Sequence, residues 1–203
     1  NINTTDVNGC TPIFMAVEES HVHVMNALAA IGADINTTDV NGCTPMFIAA
    51  QAGHVDIIKS LGALSADVDA PSKNGVTPIF IAAQKGHVDI VNVLWALGAD
   101  VNAPNKEGAT PMFMAAQNGH VNVVNALGAL SADVNAQNKS GVTPMFIAAQ
   151  DGHLSVVNAL GALGADVNAP NKEGATPMYF AAQQGHVDVV KSLRALGADV
   201  NTP

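Results

Sequence analysis

The sequence predicts an all-α repeat solenoid, in which helix-turn-helix pairs stack and β-hairpin turns project from them. Three observations lead there. Thr-Pro pairs open at Thr11, Thr44, Thr77, Thr110, Thr143 and Thr176, each 33 residues after the last, so one unit is written six times. After each pair comes an alanine-rich apolar stretch stopped by glycine or, in the first unit, serine, and then a second apolar stretch at helical spacing. A unit this short cannot bury a core alone, so adjacent copies must supply one another's interior. On this reading residues 1–203 form a single solenoid domain.

The third unit shows how each element is justified. Ser72 to Val76 reads as a hairpin turn around Asn74-Gly75, a pair in which both residues tolerate positive φ, and Asn8-Gly9 and Asn41-Gly42 repeat it. Thr77 then acts as an N-cap whose hydroxyl accepts from an orphan backbone N–H, with Pro78 at the first helical position. The first helix runs from Pro78 to about Gln84, with Ile79, Ile81, Ala82 and Ala83 as its buried set and Gly86 as its stop. A second helix covers Val88 to Leu97, with Val88, Ile90, Val91, Leu94 and Leu97 facing inward, and Gly98 closes it with a left-handed residue. Residues 1–5 nearly duplicate Asp34 to Thr38 and read as the tail of a further unit, while the sixth unit ends without a polar terminal repeat. The expectation is that both end faces expose apolar surface and support end-to-end self-association.

Composition narrows the function classes. Charged residues make up 12% of the chain and aromatics 4%, so the interior is built from small and aliphatic side chains. A net charge of −9 repels phosphate backbones, which argues against nucleic acid as a partner. No apolar run reaches the length of a membrane span and no signal peptide is present, so no membrane partner is expected. Cys10 and Cys43 occupy one slot in consecutive units; stacked helices lie about 8–10 Å apart, beyond the reach of a disulfide. Two free thiols, and hence a cytoplasmic or other intracellular reducing compartment, are expected.

Helix, glycine turn, helix, Gly-Ala-Asp-Val-Asn and hairpin at this period resemble the ankyrin repeat over essentially the whole chain, with Gly-His recurring at Gly53-His54, Gly86-His87, Gly119-His120, Gly152-His153 and Gly185-His186. The resemblance implies antiparallel helix pairs stacked side by side, hairpins at right angles to them, and a groove formed by hairpin tips and first helices. It also implies protein binding without catalysis. Some animal members are hydroxylated on an asparagine whose slot here holds Asn36, Asn102, Asn135, Asn168 and Asn201. The chain departs from the family's Thr-Pro-Leu-His: the histidine is replaced by Phe14, Phe47, Phe80, Phe113, Phe146 and Tyr179. In the outer helix, Ala29, Gly62, Trp95, Gly128, Gly161 and Arg194 stand where the family commonly has leucine. A mid-helix glycine costs about 1 kcal/mol unless close packing offsets it. Ser65 and Ser131 replace helix-ending glycines and should sit in a strained left-handed conformation.

Repetition works against catalysis. Histidines that recur once per unit are spaced by a helix-packing distance and cannot converge on one ion, so no metal or cofactor is expected; the resemblance implies that they bond backbone in the turn between helices instead. Asp34, Asp67, Asp100, Asp133, Asp166 and Asp199 recur just after each outer helix as turn acceptors. No Walker loop, nucleophile elbow, H-E-x-x-H or Cys-x-x-Cys is present. The chain is therefore read as a non-enzymatic scaffold that binds another protein or peptide through hairpin tips and the concave inner-helix face. Its expected contacts are Lys73, Gln84, Lys85, Lys106, Gln117, Asn118, Lys139, Gln150 and Asp151; the rings of Phe113 and Phe146 are either consumed in packing between repeats or leave their edges accessible as apolar anchors, and the anchor reading adds them to the contacts. Lys73, Lys106, Lys139 and Lys172 form a basic row, read either as a solvated edge or as a device that steers an acidic peptide, while Asp6, Glu18, Glu19 and Asp39 make the first half acidic. Trp95 is expected to lie over Gly62 and Gly128, the alternative being an outer-face contact site. The alternatives are a structural spacer or elastic solenoid in a larger protein, and a designed, consensus-like scaffold. Variation in the slot after each recurring glutamine (Ala52, Lys85, Asn118, Asp151, Gln184) favours binding over the spacer.

Overall fold

Thr-Pro starts every inner helix because its two residues solve the same problem from opposite sides. Proline removes one orphan N–H, and the threonine hydroxyl satisfies another. A computed structural model of the chain describes residues 2–200. These residues contain no β-strand and twelve α-helices, distributed over two compact units, Asn1–Asp100 and Val101–Pro203.

In the first unit the inner helices are α1 (Pro12–Glu18), α3 (Pro45–Ala52) and α5 (Pro78–Lys85), and the outer helices are α2 (Val22–Ala30), α4 (Val55–Ala63) and α6 (Val88–Ala96). Each inner helix packs on the outer helix that follows it, and the inner and outer rows each pack along themselves. The second unit repeats this with inner α7 (Pro111–Gln117), α9 (Pro144–Gln150) and α11 (Pro177–Gln183) and outer α8 (Val121–Ala129), α10 (Leu154–Ala162) and α12 (Val187–Ala195).

In α3 and α5 the hydroxyls of Thr44 and Thr77 accept from the N–H of Phe47 and Phe80, at 3.2 and 3.4 Å. Thr110, Thr143 and Thr176 do the same in the second unit, with Phe113, Phe146 and Tyr179 donating. Thr11 departs from this. It is buried, but its hydroxyl has no partner and α1 has no side-chain cap.

The expected core is present, with two corrections, the first being Val88, which is only half-buried. Ile79, Ile81, Ala82, Ala83, Ile90, Val91 and Leu94 are buried, whereas Leu97, expected inside, caps α6 and is 36% exposed. Its inner edge explains the outer-helix glycines. A Cβ built on Gly62 would meet the Leu97 methyls at 2.6 and 2.7 Å; Gly128 meets Leu163 and Gly161 meets Leu196 in the same way. The leucine ending one outer helix fills the notch on the helix before it, so close packing offsets the helical cost of those glycines.

The hairpins also differ from expectation. Both residues of an Asn-Gly tip tolerate positive φ, yet only the glycine adopts it: among the described residues other than glycine, positive φ occurs at Ser20, Ser65 and Ser131. Each tip is instead a three-residue loop. The Gly9 N–H donates to the Asp6 carbonyl and the Asp6 N–H donates to the Cys10 carbonyl, with φ 79° at Gly9. The Asp6 carboxylate fixes the loop by accepting from Asn8 N–H and Cys10 N–H, both at 2.8 Å. Asp39, Asn105, Asn138 and Asn171 hold their own turns through the same two bonds, and the Ser72 hydroxyl accepts from Val76 N–H. These acceptors relieve the tip asparagines of any need for a left-handed backbone.

Candidate partner-binding surface

The surface is assembled from two kinds of backbone stitch. The first joins hairpin tips. Lys73 N–H donates to the Asn41 carbonyl at 2.8 Å in the first unit, and in the second Lys139 and Lys172 donate to Glu107 and Ser140 at 2.9 and 3.0 Å. The main chains of Lys73, Lys139 and Lys172 are thereby held while their side chains are left in solvent, and Lys106 is exposed as well.

The second stitch uses histidine. The imidazole Nε2 of His54 lies 3.1 Å from the Glu18 carbonyl and that of His87 lies 3.2 Å from the Gln51 carbonyl. In the second unit His153 reaches Gln117 at 2.9 Å and His186 reaches Gln150 at 3.0 Å. The histidines bond backbone, as expected, but across to the preceding copy. This explains the Gly-His pairing: a Cβ on Gly152, whose φ is +78°, would meet the His186 ring at 2.6–2.9 Å, and Gly119 faces His153 in the same way. Among the described residues no three His, Cys, Asp or Glu side chains gather where they could hold a metal ion.

The turn aspartates work in both directions. Asp34, Asp67, Asp133 and Asp166 each accept from the N–H two residues on. The N–H groups of Asp34, Asp67, Asp133, Asp166 and Asp199 donate to Asn3, Asn36, Asn102, Asn135 and Asn168 of the preceding copy. Four asparagines of the slot singled out for hydroxylation therefore hold a neighbouring turn; the fifth, Asn201, lies outside the described residues. Asp69 replaces asparagine in this row. Both its carboxylate oxygens lie 3.2 Å from Asp100 N–H, and burial, followed by repulsion from Asp100 and Asp67, raises its pKa against the lowering effect of that hydrogen bond.

Most polar contact candidates are exposed or half-buried. In the first unit Lys85 is exposed at the end of α5 and Gln84 is half-buried beside it. In the second, Asn118 and Asp151 are exposed at the C-caps of α7 and α9, and Gln117 and Gln150 are half-buried, their carbonyls taken by histidine. Asn118 also turns its amide onto the Met114 carbonyl at 2.9 Å. The anchor reading of Phe113 and Phe146 is overturned: they are 6% and 1% exposed, because each ring fills the interior of its stack. The aromatic slot reaches solvent at Tyr179, which stands edge-on to Phe180 and lines an open depression with Glu173, Gly174, Ala175 and Gln183. Trp95 is also misplaced by the sequence reading. Leu97 covers Gly62 and Leu163 covers Gly128, while Trp95 is half exposed.

The turn acceptors Asp6, Asp39, Asn105, Asn138 and Asn171 were missed as a class, though the signal was available as a short polar residue three positions before every tip glycine. For Asp6 and Asp39 this bears on electrostatics, since one oxygen of each is already occupied by turn amides. Nucleophilic chemistry has little footing. Cys10 and Cys43 are free thiols, and burial, with the Asp39 carboxylate beside it, pushes Cys43 up to about 11. Burial and nearby Asp6, Asp39 and Glu18 also raise Cys10. No described helix is long and apolar enough to cross a membrane.

A family model for ankyrin repeats (3 copies) matches residues 1–72, 63–138 and 127–203. No match to the chain was found among curated proteins. Ankyrin repeats generally serve as protein–protein interaction modules and are typically non-catalytic. Stacked helix pairs, glycine-histidine stitches and a family match running the length of the sequence together show that this chain belongs to the ankyrin repeat family.

Proposed function

We propose that this chain is a non-catalytic scaffold that binds a protein or peptide through its hairpin tips and inner-helix C-termini. The observation that carries the proposal is the contrast between two neighbouring slots. The alanine pairs Ala49-Ala50, Ala82-Ala83, Ala115-Ala116 and Ala148-Ala149 are buried and identical, while the slot two residues beyond each holds Ala52, Lys85, Asn118 and Asp151, all exposed. A scaffold needs this division, with packing residues repeated and contact residues varied. The contact set is Lys73, Gln84 and Lys85 in the first unit and Lys106, Gln117, Asn118, Lys139, Gln150 and Asp151 in the second.

The exposed lysines suit an acidic segment of the partner, which long-range attraction brings in faster than a neutral one. Capture of binding proteins on the immobilised chain, repeated with Lys106→Glu and Lys139→Glu together, tests this. Charge reversal should abolish retention of the partner, and added salt should weaken it. Retention that survives both changes excludes the tip lysines from recognition. The free thiols support function in a reducing compartment, and oxidising the chain before capture should not improve binding.

A further inference from the structure

A second surface lies away from the tips, at the C-terminal ends of the first unit's outer helices. Ile31, Leu64 and Leu97 are the C-cap residues of α2, α4 and α6, and they are 72, 41 and 36% exposed. Since α2 packs on α4 and α4 on α6, these three apolar caps form a row stepped by the helix spacing. Trp95, in the last turn of the same α6 that Leu97 caps, adds a second exposed apolar side chain at this end of the row, 49% exposed.

The surroundings of the row are electronegative. A helix C-terminus carries partial negative charge, and none of α2, α4 or α6 has a basic residue in its last turn to offset it. Asp34, Asp67 and Asp100 each come three residues after one of the caps, and both carboxylate oxygens of Asp69 lie against the Asp100 N–H. The nearest cation on these helices, Lys59, sits nearer the middle of α4.

We infer that the row Ile31–Leu64–Leu97, with Trp95, is a docking site for a basic amphipathic helix of a partner protein. The spacing fits: stacked helices lie about 8–10 Å apart, and seven residues of an α-helix advance about 10.5 Å, so apolar residues at i, i+7 and i+14 meet one cap each. Lysine or arginine beside that stripe would face the aspartates and the helix ends, and an arginine could lie over the Trp95 ring. A second copy of this chain is the wrong occupant, because its net charge of −9 adds repulsion to a surface that is already acidic. The inference does not depend on the tip lysines.

Trp95 is the chain's single tryptophan, so its emission reports on the site directly. The probe is a tryptophan-free synthetic helical peptide with leucine at every seventh position and flanking arginines; a control peptide has the same composition in scrambled order. The matched peptide should shift Trp95 emission to shorter wavelength and saturate, with affinity at least tenfold above that of the scrambled peptide. Joint Asp67→Asn and Asp100→Asn substitution should weaken binding about tenfold, and Ile31→Lys should weaken it similarly, each in a variant whose helical circular dichroism is unchanged. Lys106→Glu with Lys139→Glu should leave it unaltered. Equal shifts from both peptides, affinity indifferent to the two aspartates, or an emission shift that follows protein concentration without peptide would overturn the inference.

Discussion

The inner and outer helix rows are built from the same period but held by different physics. Inner helices begin on a threonine cap, end near a histidine-bonded carbonyl, and pack through alanine pairs that let backbones approach. Outer helices begin at a histidine that gives no side-chain cap, and lock together by seating a leucine in the notch of the preceding helix. Polar stitching demands one geometry and tolerates little. A leucine methyl against a bare helix can swing aside. The row held by directional bonds therefore keeps its residues from copy to copy, whereas the outer notch has drifted to Ala29, Trp95 and Arg194.

The largest test of this contrast removes an inner ring. Phe146→Ala should cost about 3–5 kcal/mol, measured by urea unfolding, since the ring is fully buried. A loss below about 1 kcal/mol would return Phe146 to the list of surface anchors. The sharpest comparison pairs two glycines. Gly152→Ala forces a side chain into a left-handed backbone and against the His186 ring, so it should cost about 1–3 kcal/mol. Gly161→Ala meets only the methyl ends of Leu196 while gaining helix propensity, so its net effect should stay within about 1 kcal/mol of zero. Equal costs at the two sites would erase the distinction between the rows.

Capping offers a smaller contrast. Thr143→Val should lose about 1 kcal/mol with its N-cap bond, whereas Thr11→Val should be neutral or slightly stabilising because that buried hydroxyl has no partner to lose. Thermal melts of the two variants decide it. The smallest expected effect is a pH dependence at Asp69. Its folded pKa is raised, so its contribution to stability is fully present below the unfolded value and is lost as pH rises through the folded value. Asp69→Asn should therefore melt higher than the parent chain at neutral pH, and the gap should close on acidification through that range. A gap constant with pH would remove Asp69 from the account.

Period, caps and composition were enough to place the helices, because each rests on local rules: threonine before proline, glycine after the last turn, apolar residues at helical spacing. Thr77, Pro78 and Gly86 predict α5 to within one residue of its end, and Ser65 and Ser131 were read correctly as left-handed, at φ 63° and 62°. The polar surface residues, such as Lys85 and Asp151, were legible as exposed positions because they fall outside the apolar stripe. Tertiary structure alone decided matters that depend on the neighbouring copy: that Leu97 turns outward over Gly62, that Phe113 and Phe146 are consumed as core, and that histidine bonds the copy before its own. A repeat's own letters specify its backbone, but whether a side chain is covered depends on a surface 33 residues away, which local propensity does not encode.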